Sequence, residues 1–127
     1  NIKEEYFAAS FNLSPSEIKF LKLLAVKPQY TIKEFREILK LTPGRITHIL
    51  TSLEAKNLIT RTLDPKDKRV ILVCLLPKAT PLILNLQQNY NELHKRILQN
   101  VSEDELKKIT SSLKILNKVF DQWVNQK

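Results

Sequence analysis

Glycine is almost missing from this chain: Gly44 is the only one in 127 residues. A loop that cradles phosphates needs several glycines, so P-loop nucleotide chemistry is excluded. The same scarcity leaves the marking of turns to proline, serine, threonine and asparagine. Cysteine is equally scarce. Cys74, alone in an apolar stretch, excludes an internal disulfide and a multi-cysteine zinc site, and reads as packing. The two histidines, His48 and His94, are far apart in sequence and context. A zinc site takes three or four protein ligands, so each reads as an ordinary surface histidine and no cofactor is expected. No Ser/His/Asp arrangement or paired-carboxylate pattern appears, so the chain reads as a non-enzyme. Long apolar runs are missing too. The longest, Val70 to Leu76, falls far short of the roughly 18 residues of a spanning helix, so no membrane partner is expected. No signal-peptide pattern opens the chain, and cytoplasmic placement is expected. It begins at Asn1 rather than Met, so residues upstream of Asn1 are expected as well.

What is abundant is positive charge: 21 Lys+Arg against 13 Asp+Glu, a net +8. At 43% hydrophobic and 27% charged, the composition is that of one soluble globular domain. The excess is uneven. Residues 42–80 carry +4, while the flanks 1–41 and 81–127 carry +2 each. A localised positive field points to a polyanionic partner, although basic excess alone also serves solubility.

The spacing of apolar residues predicts a mostly helical chain. Residues 2–12 are weakly helical, with Ile2, Tyr6 and Phe7 on one side. Ser14-Pro15-Ser16-Glu17 is a helix start, followed by Ile18, Leu21, Leu24 and Ala25 at helical spacing until Lys27-Pro28. Thr31 with Glu34 opens a helix whose inner face is Ile32, Phe35, Ile38 and Leu39. Thr42-Pro43 opens another, with Ile46, Ile49, Leu50 and Leu53 inside. The period then changes. Leu58 to Leu63 and Val70 to Leu76 are β-rich runs around the polar turn 64–69, and read as a hairpin with a charged tip.

Two long helices are expected to close the chain. In 79–99 the positions Ile83, Leu86, Tyr90, Leu93 and Ile97 form a heptad-like stripe. At 1.5 Å per residue this helix would be roughly 32 Å long, more than the ~28 Å diameter expected of a compact chain this size, so it should project. Ser102 with Glu105 starts the last helix, whose stripe is Leu106, Ile109, Leu113, Leu116, Phe120 and Trp123. Both stripes are expected to be buried against a second copy of the chain, with the N-terminal segment around Tyr6 joining the dimer; the alternative is a helical hairpin folded back on its own domain.

The order helix, helix, short turn, helix, two-stranded hairpin is that of a winged helix-turn-helix. The outward positions of 42–56 are Gly44, Arg45, Thr47, His48, Thr51 and Ser52, with no acid and no large apolar residue. The free N–H groups of the first turn favour a phosphate, and Arg45 there can fork onto guanine O6 and N7. At the hairpin tip, Lys66, Lys68 and Arg69 stand beside Asp64 and Asp67. A basic wing can insert an arginine into the narrow minor groove, with Asp67 aiming Arg69.

The run from Thr42 through Arg61, with Leu53-Glu54-Ala55-Lys56-Asn57-Leu58-Ile59-Thr60-Arg61 at its end, followed by Asp67-Lys68-Arg69, resembles the MarR family of bacterial transcriptional regulators. The resemblance covers nearly the whole chain. Three positions depart from the family pattern. Asn57 replaces the usual glycine and is the next best residue for a left-handed helix end. Leu75-Leu76 stands where Leu-Thr is usual, so Pro77 should start the next helix. Lys40 stands where glycine is common.

The resemblance implies a mainly α fold with a small β-hairpin, an α+β winged-helix homodimer in which 1–127 is a single domain. The DNA-binding lobe would span about 28–76 and the dimerisation helices about 1–13 and 77–127. The implied function is sequence-specific binding of double-stranded operator DNA by a repressor. The residues expected at DNA are Thr42, Pro43, Gly44, Arg45, Thr47, His48, Thr51, Arg61, Lys66, Asp67, Lys68 and Arg69. A small-molecule effector between DNA lobe and dimer arm is also implied, though no residue names it. The alternative is a winged-helix module that binds protein rather than DNA. The acid-free outward face of 42–52 argues against it.

Overall fold

Several helix ends in this chain are closed by side-chain caps or by a residue in the left-handed conformation. The computed structural model describes residues 1–88 and 92–126. Its elements are α1 (Ile2–Ser10), α2 (Pro15–Val26), β1 (Gln29–Thr31), α3 (Ile32–Leu39), α4 (Pro43–Ala55), β2 (Ile59–Leu63), β3 (Ile71–Leu75), α5 (Thr80–Gln87), α6 (Glu92–Asn100) and α7 (Glu103–Asn125). The three predicted capping boxes form. Each of Ser14, Thr31 and Ser102 accepts from the backbone N–H three residues on, and Glu17, Glu34 and Glu105 reach back to the cap N–H at 2.8–2.9 Å.

The C-terminal ends show how a chain with one glycine stops its helices. Asn12, Lys40 and Asn57 take left-handed φ values of 57, 54 and 60°. At Asn57 the N–H donates to the Glu54 carbonyl and the Leu58 N–H to the Leu53 carbonyl, the double bond of a Schellman motif. Asn12 and Leu13 repeat it on the Ala9 and Ala8 carbonyls. At Lys40 a single bond to the Arg36 carbonyl suffices. Asparagine tolerates this conformation because its short polar side chain bonds locally, whereas lysine adopts it at a cost that packing around α3 and α4 must offset.

The chain divides into two compact units, residues 1–18 with 90–127, and residues 19–89. The second is built on an antiparallel sheet of order β1-β3-β2. β2 and β3 form the predicted hairpin, with Ile59 opposite Leu75 and Leu63 opposite Ile71. The third strand, β1, was not legible in the sequence. It pairs Gln29, Tyr30 and Thr31 with Cys74, Val73 and Leu72, and so covers much of the second edge of β3. The core of this unit is Phe20, Leu21, Leu24, Phe35, Ile46, Leu50, Leu53, Ile59 and Val73, all buried. Phe35 stacks between Phe20 and Tyr30, with centroids 4.8 and 5.0 Å away.

In the first unit α1 and α7 run parallel. Lys114 faces Glu5 at 3.9 Å, Asn117 Nδ2 donates to the Ala9 carbonyl at 2.8 Å, and Asn12 Nδ2 donates to Asp121 at 3.0 Å. Tyr6, Phe7, Ala8, Ala9 and Leu106 are buried.

The expected single helix over 79–99 is corrected. A 3-10 turn at Pro77–Ala79, begun by Pro77 as anticipated and without a side-chain cap, leads into α5. That helix closes at Gln88, whose N–H bonds the Leu84 carbonyl, and α6 begins at Glu92. A continuous 32 Å rod is therefore not formed, and Tyr90 lies outside the described residues. The stripes are corrected as well: Ile83, Leu86 and Leu106 are already buried in the single chain. Exposed apolar surface concentrates instead on the second half of α7, where Leu116, Phe120 and Trp123 are 63%, 59% and 51% exposed.

Candidate nucleic-acid interface

The face of α4 opposite Ile46, Ile49, Leu50 and Leu53 is set by the 3.6-residue period: once those four are buried, Gly44, Arg45, Thr47, His48 and Thr51 must point outward. All five are exposed, together with Thr42 and Pro43. Thr42 Oγ1 accepts from the Arg45 N–H at 3.2 Å, which fixes the first turn, and Pro43 at its head has no N–H to leave unpaired. A side chain added at Gly44 would meet nothing within 4 Å. Glycine is thus not needed there for internal packing, and it leaves the backbone open to close approach from outside.

The wing is shaped by its two aspartates. Asp64 Oδ1 accepts from the Lys66 N–H at 2.8 Å, and Asp67 Oδ1 from the Arg69 N–H at 3.0 Å, so each carboxylate turns the backbone locally. The Asp64 N–H donates to the Val70 carbonyl and closes the tip. Asp67 also accepts from the Arg69 guanidinium, Nε at 3.1 Å and Nη2 at 3.3 Å, while the Arg69 side chain remains 91% exposed. The predicted pairing of Asp67 with Arg69 is therefore present, and the paired guanidinium faces solvent. Lys66 and Lys68 are exposed beside it.

Arg61 is placed differently from its neighbours. Its Nη2 donates to Glu54 Oε1 at 2.8 Å and to Thr51 Oγ1 at 3.3 Å, and its backbone N–H donates to Glu54 Oε2. The side chain is 24% exposed. Arg61, Glu54 and Thr51 thus form a bracket tying the root of the wing to the end of α4. Glu54 was the residue that sequence reasoning passed over. Its sequence signals are its place with Arg61 in the run Leu53 to Arg61 that carries the resemblance, and a carboxylate seven positions before an arginine across a helix end.

Both carboxylates are acidified by their arginines. The Arg61 and Arg69 guanidiniums hold Glu54 and Asp67 below the ordinary values of 4.5 and 3.8. A depressed carboxylate contributes its pairing above the unfolded value and loses it as pH falls through the folded one. Both pairs therefore persist at neutral pH and weaken only in acid.

Away from this face, His94 is not the surface histidine expected from sequence. It is half-buried and shares a 2.6 Å hydrogen bond with the Tyr6 hydroxyl. Burial lowers the His94 pKa and raises that of Tyr6, so both are neutral at pH 7. His48 is exposed. Among the described residues no cluster of His, Cys, Asp or Glu could hold a metal, and no helix is long and apolar enough to cross a membrane.

Comparison with known proteins agrees with this architecture. The family model described as MarR family matches residues 13–71. The Bacillus subtilis protein YxaD, named an uncharacterised HTH-type transcriptional regulator, is 31% identical over 109 residues, covering 86% of this chain and 76% of that protein. MhqR of the same organism, an HTH-type transcriptional regulator, is 28% identical over 114 residues, 90% of this chain and 79% of its own length. The fold matches a mutant MarR from E. coli complexed with operator DNA at TM-score 0.64 and 23% identity, covering 91% of this chain and 82% of that one. With a winged helix-turn-helix built on α3, α4 and the β2-β3 wing, and sequence relatedness running through it, the chain belongs to the MarR family of transcriptional regulators.

Proposed function

We propose that this protein is a transcriptional repressor that binds duplex operator DNA as a homodimer in the cytoplasm, without enzymatic activity of its own. α4 enters the major groove, led by Thr42, Pro43, Gly44, Arg45, Thr47 and His48. The wing tip, with Lys66, Lys68 and Arg69, reaches the adjacent minor groove, with Asp67 as the brace. Arg61 and Thr51 hold α4 and wing at a fixed separation. The chain works as one domain, with a DNA lobe over about 28–76 and dimerisation helices over about 1–13 and 77–127. The observation that carries this reading is the juxtaposition of an exposed, acid-free helix face with an exposed arginine held by a carboxylate. Such a guanidinium suits a narrow minor groove, where the negative potential is strongest.

Two substitutions test it. Arg45→Ala is expected to cost roughly 1–3 kcal/mol and to relax preference at one base pair per half-site, as loss of a fork onto guanine would. Equal loss on operator and random duplexes would make Arg45 a phosphate contact instead. Arg69→Ala is expected to weaken binding to all sequences while sedimentation still reports a dimer. Unchanged affinity at fixed salt would remove Arg69 from the interface.

A further inference from the structure

Among the described residues, Lys40 is the one left-handed position held by neither glycine nor asparagine. At φ 54° and ψ 39° its Cβ is set against a neighbouring carbonyl oxygen. Asn12 and Asn57 belong to the residue type that enters this region most readily after glycine; lysine does not. The Lys40 N–H closes α3 on the Arg36 carbonyl, a bond that glycine would make equally well. The Lys40 side chain is exposed and makes no hydrogen bond or ion pair among the described residues. Nothing inside the described molecule accounts for a lysine in this turn, and strain kept at such a position points to a contact made outside it.

Lys40 also ends a row. Arg36 precedes it by four residues and Lys33 by seven, the spacing of neighbours along a helix, and all three are exposed. Neither Lys33 nor Arg36 makes an ion pair among the described residues. Of the two acids on α3, Glu34 is engaged by the Thr31 cap and by Lys27, which leaves Glu37 beside the row. At one end Lys33 and Arg36 share a cleft with Arg69 of the wing. At the other, Lys40 stands two residues before Thr42, the cap of α4. Cations spaced along a helix, open to solvent and joined at both ends to the surface of α4 and the wing, complement a line of phosphates rather than a single anion. We infer that the DNA interface extends onto α3: Lys33, Arg36 and Lys40 hold the phosphate backbone that flanks each half-site, and Lys40 keeps its left-handed conformation to set an ammonium against a phosphate beside the first turn of α4. This inference rests on the DNA-binding reading above. Glycine in the turn would favour the fold, and lysine favours the complex.

Lys40→Gly in the full chain separates the two effects. Its thermal midpoint is expected to rise by roughly 2–5 °C as the strain is released. Its DNA affinity, read by anisotropy, is expected to fall roughly 10–100-fold at about 50 mM salt. The loss should be equal on palindromic and mixed-sequence duplexes, because a phosphate contact carries no sequence information. The slope of log affinity against log salt should become shallower by about 2 for a dimer, one phosphate contact per chain. A protein that is more stable and binds more weakly has not lost affinity by misfolding. Lys40→Arg should keep both the affinity and the slope of the unmodified chain, without the gain in midpoint. Lys33→Ala/Arg36→Ala should flatten the slope in the same sequence-independent way. An unchanged affinity and slope in Lys40→Gly would overturn the lysine's contact, and an unchanged slope in the double variant would overturn the rest of the row. A lowered midpoint in Lys40→Gly would assign the lysine to the fold instead. Loss confined to the palindrome would make Lys40 a base contact and overturn its phosphate role. A chain that binds no duplex at any salt would overturn the DNA reading and the row together, whereas binding with unaltered slopes overturns the row alone, so the two failures are distinguishable.

Discussion

Phe120→Asp is expected to turn a dimer of about twice 14.8 kDa into a monomer and to lower operator affinity by roughly 10²–10⁴-fold. The second half of α7 exposes Ile115, Leu116, Val119, Phe120, Trp123 and Val124, each about half exposed or more. Single exposed apolar residues are normal, but a contiguous stripe of six marks an interface. Burying one such side chain completely is worth roughly 1.5–3 kcal/mol, so the stripe supplies enough to hold two chains together. A carboxylate at its centre would have to be desolvated without a partner. Phe120 is exposed in the single chain, so the substitution should leave the fold intact, as unchanged far-UV circular dichroism would show. The loss at DNA follows from linkage. Two lobes on one dimer bind two half-sites with the second contact effectively intramolecular, and a monomer forfeits that gain. Sedimentation at micromolar concentration reads the first effect and anisotropy the second. A variant that remains dimeric would remove Phe120 from the interface.

The parts of this structure that were legible in the sequence are those decided by local chemistry. The capping boxes at Ser14, Thr31 and Ser102 depend on two side chains three residues apart, and all three form. Asn57 takes the left-handed conformation that glycine would otherwise supply. Asp67 and Arg69, two residues apart in one turn, pair as expected. What could not be read depends on distant partners. β1 is only three residues long and exists because β3 has a second edge to satisfy. Glu54 meets Arg61 only because the Asn57 turn folds β2 back along α4. Tyr6 and His94 are 88 positions apart, and nothing near either one announces the other. The break after Gln87 was missed because a 3, 4, 3, 4 spacing of apolar residues continues across it. Hydrophobic period reports which residues share a face while a helix lasts, and says less about where it stops.

The most direct test of the central claim is the salt dependence of DNA binding, measured by fluorescence anisotropy on palindromic and mixed-sequence duplexes. Each chain brings Arg45, Lys66, Lys68 and Arg69 to the proposed surface, and a dimer doubles them. If about 6–10 of these and their neighbours contact phosphates, affinity should fall roughly 10³–10⁵-fold between 50 and 200 mM salt through counterion release. The preferred duplex should be a near-palindrome with half-site centres about 34–36 Å apart, one turn of B-DNA. A steep slope without preference for any palindrome would contradict sequence-specific regulation and leave an architectural role. A binding constant flat across that salt range would contradict DNA as the partner altogether, and would place protein recognition on the wing and α4.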